Sequence, residues 1–356
     1  MTRSRRLLLL AAVLVCVVLL VWRIAAGRRS APSPSSSQNT PSSVASNPHS
    51  ASTSGSGPTK VFAHNLVLRK GPSLRIYVRW LRGEMIPARK NVTPSFDDPE
   101  SFYLDIQTGV VRVNIGDLTH YLNAGGLGSS PLKNVNISGN GSQINLTGTL
   151  HKIIPLPISL SAQIAARPDG LIQLHVTKID VLKIPFKALL GGFHVTVADL
   201  FHPKDIPGVE VSGNDITVDT QHALPPPHIR GQLTTVHVVN PDLEEIYGNA
   251  TGDVERTEQW RNFLRLSGGA IDFGKLTMNP VDLIMIDISN SYWFDLDLAH
   301  YQNQLVNGYT RMTPQAGLQI FMPDVSKLPP SSNNQNIGIE WMRNRSIPVP
   351  QSVTQH

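Results

Sequence analysis

The sequence predicts an α+β fold that is rich in strands, with few and short helices, behind an N-terminal transmembrane helix. Three observations predict it. Apolar and polar residues alternate in many short segments after position 60, which is the period of a half-buried strand. Glycine and proline number 27 each, a density of turn-formers that interrupts long helices. One long apolar run, Leu7–Trp22 (LLLLAAVLVCVVLLVW), follows three arginines near the N-terminus.

That run holds sixteen residues, and with Arg23 snorkelling toward the headgroups it reaches Ala26 and totals twenty, a bilayer span. Ile24-Ala25-Ala26 is a poor cleavage site with an arginine against it. Residues 1–27 are therefore expected to remain as a signal anchor. Three arginines flank each side, and the short basic tail favours an N-inside orientation. Residues 28–59 are rich in Ser, Pro, Thr, Asn and Gly and are expected to be a disordered linker, spanning roughly 30 Å as a flexible coil.

The formal net charge is +5, yet residues 1–29 carry six arginines and no acid. Removing those six leaves 25 basic against 26 acidic residues. The folded part has no basic excess, so nucleic acid is set aside as a partner. Charged residues are only 16% of the chain, too few for a solvated coiled coil. The single cysteine, Cys16, lies in the apolar run, which removes disulfides, thiolate zinc sites and a thiol nucleophile from the folded part.

The elements follow in order. Leu74, Ile76, Val78 and Trp80 alternate with Arg75, Tyr77 and Arg79 as a strand. Phe102, Leu104 and Ile106 form another, with a break expected at Thr108-Gly109 before Val111 and Val113. Gly116–Asn123 is an expected helix with Leu118, Tyr121 and Leu122 on one face and Gly125 as its stop. Val135 and Ile137, a Gly139–Ser142 turn, and Ile144 to Leu150 make a hairpin. Ile158, Leu160, Ala162, Ile164 and Ala166 lead into Arg167-Pro168-Asp169-Gly170, where Pro presets φ and Gly takes the left-handed position. Ile172, Leu174 and Val176 return. Pro185–Gly191 is an expected short helix carrying Phe186, Leu189 and Leu190. Val209 and Val211, a Ser212–Asp215 turn, and Ile216 and Val218 form a further hairpin, and Leu298–Val306 is a third expected helix.

Motifs for catalysis are scarce. There is no G-x-S-x-G elbow, no P-loop, no G-x-G-x-x-G and no H-E-x-x-H. No enzyme and no cofactor is expected. Asp295-Leu296-Asp297 has the D-x-D spacing by which sugar-nucleotide transferases hold a divalent cation. Anchor, Ser/Pro stem and domain also match the layout of a lumenal type II glycosyltransferase. The plainer account is strand alternation, with Phe294, Leu296 and Leu298 inward and the aspartates outward. No metal site is expected. The remaining candidate is apolar: Leu118, Tyr121, Leu122, Phe186, Leu189, Leu190 and Phe193 sit in short apolar stretches beside strands. They are either core or the lining of a groove for acyl chains.

The segment VRVNIGDLTHYLNA, then PLKNVNIS, INLTGTLHKIIPLPISLSAQIAARPDGLIQLHVTKIDVLKIPFKALL, GVEVSGNDITVD and LPPPHIRGQL, resembles bacterial LmeA-like phospholipid-binding proteins. The resemblance implies a tubular-lipid-binding (TULIP-like) fold, a strongly curved antiparallel sheet against a helix. It also implies a single-pass protein of the bacterial inner membrane, its domain on the periplasmic side, binding phospholipid or another acyl lipid. The expected organisation is anchor 1–27, linker 28–59, lipid-binding domain 60–250, a β-rich extension 251–325 that completes the domain or forms a small subdomain, and an irregular tail 326–356. A non-catalytic envelope scaffold is the third reading, since core and groove use the same residue types.

Overall fold

Alternating burial builds most of the molecule. The computed structural model describes residues 57–70, 74–128, 130–151, 155–181, 196–200, 206–250, 259–274, 276–298 and 300–328. All belong to one compact unit, Ser52–His356. The anchor, nearly all of the linker, the expected helix at Pro185–Gly191 and the tail from 329 onward lie outside the described residues. Among those described, no helix is long and apolar enough to cross a membrane.

The chain opens with β1 (Thr59–Lys70), β2 (Leu74–Pro87) and β3 (Phe102–Asn114), followed by helix α1 (Ile115–Tyr121). A meander follows: β4 (Leu132–Asn140), β5 (Gln143–His151), β6 (Pro155–Ala166) and β7 (Ile172–Val181). After the single turn α2 (Val197–Leu200) come β8 (Val209–Ser212), β9 (Asp215–Val218) and the short helix α3 (Thr220–Ala223). Then come β10 (His228–Gly231), β11 (Leu233–Val239) and β12 (Asp242–Tyr247). The last part has β13 (Phe263–Gly268), β14 (Ile271–Phe273), β15 (Leu276–Met278), β16 (Val281–Asp287), β17 (Phe294–Leu296), helix α4 (Tyr301–Val306), β18 (Tyr309–Met312) and β19 (Leu318–Met322).

Two main sheets result. The larger runs β11-β12-β3-β2-β1-β13-β16-β19-β18, with β10 also on β3 and β17 also on β1. The smaller runs β4-β5-β6-β7-β9-β8. Neither closes on itself. They are stitched where the β4–β5 turn meets β11: Gly141 and Val238 exchange both backbone hydrogen bonds, at 3.1 and 2.7 Å. One continuous apolar core joins the inner faces of both sheets, from Leu66 and Ile76 to Leu160 and Ile216.

Two expectations for the first strands change. Trp80 does not share a face with Leu74, Ile76 and Val78. The pairing with β3 slips between Val78 and Trp80, a bulge that leaves Arg79 extra and turns the following residues over. Leu81 then enters the core cluster in its place. The break expected at Thr108-Gly109 is a change of phase and not an end of the strand: β3 runs through both residues, while its pairing with β2 shifts between Ile106 and Thr108 and leaves Gln107 extra. Gly109 is there for close approach: a Cβ would lie 2.7 Å from the Trp80 carbonyl and 2.9 Å from Leu81 Cα. The hairpins fall where the turns put them, with Gly141, Gly170 and Gly213 at φ of 57°, 82° and 59°. The third expected helix begins later, at Tyr301, and Phe294–Leu296 before it is strand.

Candidate functional site: an apolar cavity under helix α1

Helix α1 exists because its start is satisfied. Asn114 Oδ1 accepts from the amides of Gly116 (2.9 Å) and Asp117 (3.2 Å), taking two of the donors a helix start leaves open. Asp117 stands in the first turn, where the helix dipole favours an acid. Arg75 of β2 grips it with two hydrogen bonds, 2.8 and 2.9 Å. The next turn widens over Leu122–Gly126, and Gly125 at φ 128° ends it. Asn123 then pins that end, donating to the Val135 carbonyl (2.7 Å) and accepting from its amide (2.8 Å). The helix is thus fixed at both ends, and Leu118, Tyr121 and Leu122, three and four residues apart, face one way.

They face the smaller sheet. Its inward residues line up across strands: Leu146 opposite Leu160, Ile144 opposite Ala162, Ile164 opposite Leu174 and Leu174 opposite Ile216. Cross-strand apolar pairs of this kind stabilise a sheet, and here they also pave a wall. Between wall and helix lies a cavity of about 210 Å³. Leu118, Tyr121 and Leu122 line it, together with the wall residues, Val209 and Val218. The Tyr121 hydroxyl donates to the Ala223 carbonyl at 3.3 Å and ties α1 to α3. Burial pushes the Tyr121 phenol pKa up. The larger sheet supplies the far wall through Val113 and its direct partner Leu243, followed by Glu245.

Leu118, Tyr121, Leu122, Leu146, Leu174, Val209, Val218 and Leu224 are only partly buried, although each packs on the core. Val113, Leu243 and Glu245 are buried. The cavity therefore has an apolar mouth and a closed depth. At that depth the Tyr247 hydroxyl donates to Glu245 Oε2 at 2.7 Å. Burial, and then the Glu245 charge, raise the Tyr247 pKa well above its usual value, so the phenol keeps its proton.

Three of the seven sequence-based candidates, Leu118, Tyr121 and Leu122, thus come together at one cavity. Phe186, Leu189, Leu190 and Phe193 lie outside the described residues. The paving residues of β5 to β9 were legible as inward-facing, but not as site residues. Glu245 escaped notice, although an acid between Leu243 and Tyr247 on the buried phase of a strand was a visible signal.

Asp295 and Asp297 sit elsewhere. Arg69 holds Asp295 with two hydrogen bonds, 2.9 and 2.6 Å, and His300 Nδ1 lies 3.0 Å from Asp297 Oδ2. Phe294, Leu296 and Leu298, which alternate with the two aspartates, are buried. The buried Gln304 clasps this strand, donating to the Asp295 and Pro323 carbonyls and accepting from the Asp297 amide. The D-x-D spacing is here strand alternation with paired carboxylates. Among the described residues, no group of three or more His, Cys, Asp or Glu side chains is placed to hold a metal ion.

No protein-family model, curated protein or solved structure matches the chain.

Proposed function

We propose that this is a membrane-tethered lipid-binding protein of the bacterial envelope, which holds an acyl chain non-covalently in the cavity under α1. One observation carries the reading: apolar side chains that a finished core would cover instead stay only partly buried around one cavity. Apolar openings of this sort mark ligand or partner sites. Each buried methylene contributes about 0.8 kcal/mol, so six would contribute about 5 kcal/mol before the cost of ordering the chain. The apolar run at Leu7–Trp22 supports a tether, which would keep the cavity close to its lipid supply. The strand–turn order that resembles LmeA-like proteins supports the same reading, with a TULIP-like fold and a periplasmic domain.

The test is lipid content. The full chain is purified in mild detergent, extracted and analysed by mass spectrometry. The expected result is acyl lipid at a defined ratio to protein, lost in Leu118→Asp and Leu122→Asp while circular dichroism stays the same. Equal lipid content in wild type and both variants would sink the reading.

A further inference from the structure

The polar groups of the cavity wall are already engaged. Among the described lining residues, only Tyr121, Thr220 and Glu245 carry a polar side-chain group. The Tyr121 hydroxyl donates to the Ala223 carbonyl at 3.3 Å. Thr220 hydrogen-bonds to Tyr247, whose hydroxyl donates to Glu245 Oε2 at 2.7 Å. Glu245 makes a further interaction besides that bond. It stands on the deep wall with Val113 and Leu243, and all three are buried. A carboxylate on an apolar wall is costly unless partners meet it in this way. A polar head group pushed to the same depth would give up its water and compete with that network for hydrogen bonds.

Hydrocarbon meets no such obstacle. Every other described lining side chain is Val, Leu, Ile or Ala. Leu160, Ile164 and Ile216 are buried at depth, and the partly buried Leu118, Leu122 and Val218 frame the mouth. Size then sets how far a chain can enter. By proportion to a roughly 150 Å³ hole that takes the six carbons of benzene, a cavity of about 210 Å³ has room for about eight carbons. That is about half of a palmitoyl chain, and it leaves no room for a second chain.

We infer that the cavity admits one alkyl chain by its methyl end, to a depth of about eight carbons, and leaves the polar head of the lipid outside the mouth. This rests on the cavity being a ligand site, as proposed above. The methyl end lies against Val113, Leu243 and Glu245, and mid-chain lies beside Leu118 and Leu122. Each methylene drawn past the mouth gains burial, and the gain stops once the cavity is full.

Depth can be read by photolabelling. The full chain is reconstituted in phosphatidylcholine vesicles with palmitate that carries a diazirine near its methyl end, at mid-chain or beside its carboxylate. After photolysis the labelled residues are located by mass spectrometry, and excess unlabelled palmitate shows which labels are specific. The methyl-end probe is expected to label β12 at Leu243–Glu245, and the mid-chain probe to label α1 at Leu118–Leu122. The carboxylate-end probe is expected to lose both labels. Leu243–Glu245 labelled from the carboxylate end, or left untouched by the methyl-end probe while α1 is labelled, overturns this inference and leaves the cavity reading standing. So does Leu118–Leu122 labelled as strongly from the carboxylate end as from mid-chain. No specific label at either place overturns both.

Discussion

Asp287 shows how one residue couples burial to pH. It closes β16, where Asn262 Nδ2 (3.0 Å) and the Ser289 amide (2.6 Å) both donate to it. Burial nevertheless dominates and, with nearby Asp324, pushes its pKa up to about 6 from 3.8, against the Asn262 hydrogen bond. Asp324 shifts in the same direction, also through burial. A folded pKa raised above the unfolded value means that the folded state binds more protons between about pH 4 and 6. Stability then falls as pH rises through that window, and the Asp287 penalty is fully present above it. The expected span is on the order of 2–3 kcal/mol. Urea unfolding at several pH values should show a steeper loss of stability from pH 4 to 6 in wild type than in Asp287→Asn. Parallel pH curves would refute the assignment.

At the scale of the element, α1 carries the mouth of the cavity on a helix of only seven residues. A helix that short is marginal by itself, so its caps matter more than its propensity. Asn114 serves three partners, since its Nδ2 also donates to Asp242 at 3.1 Å. Asn114→Ala should cost about 1 kcal/mol from the cap and loosen Leu118, Tyr121 and Leu122 together. The expected outcome is a modest fall in melting temperature with a larger fall in co-purified lipid. A fall in melting temperature with lipid content intact would mean that the helix only seals the core. The smaller sheet is different in kind: the wall residues of its inner strands β5, β6, β7 and β9 have paired strands on both sides, so one change there stays local.

Across the whole molecule, the segment after residue 250 cannot be separated from the segment before it. β1 pairs with β13 through Lys60–His64 and with β17 through Leu66–Leu68. Asn65, at φ 47°, marks the change of partner, and its Nδ2 donates to Asn262 Oδ1 at 3.2 Å. Phe96, Phe273 and Tyr301 form one aromatic cluster with centroids 4.8–6.0 Å apart. The Tyr301 hydroxyl donates to Asp97 at 3.0 Å. Truncation after Ala250 would bare one edge of β1 and the core side of Leu66 and Leu68. The truncated chain is expected to lose its near-ultraviolet circular dichroism and its cooperative unfolding transition. A truncated chain that melts cooperatively would show that residues 60–250 fold alone.

The strands, their turns and the inward residues were legible in the sequence because those signals are local. Period two says which side chains share a face, and Gly170 or Gly213 says where the chain reverses. The helix with Leu118, Tyr121 and Leu122 on one side and its stop at Gly125 was legible for the same reason, while its Asn114 cap was not read. Trp80 was misjudged, and Gly109 was read as a break without its close approach to β2, because a bulge and a close crossing depend on the neighbouring strand, which alternation does not contain. Glu245 could be seen as an acid on a buried phase, but not what it faces. Only the tertiary structure decided that α1 stands off the smaller sheet and leaves a cavity, and that Val113, Leu243 and Glu245 from the other sheet close its depth. Core and groove draw on the same apolar residues, so the difference between them is space, and space is set by how two sheets and a helix pack.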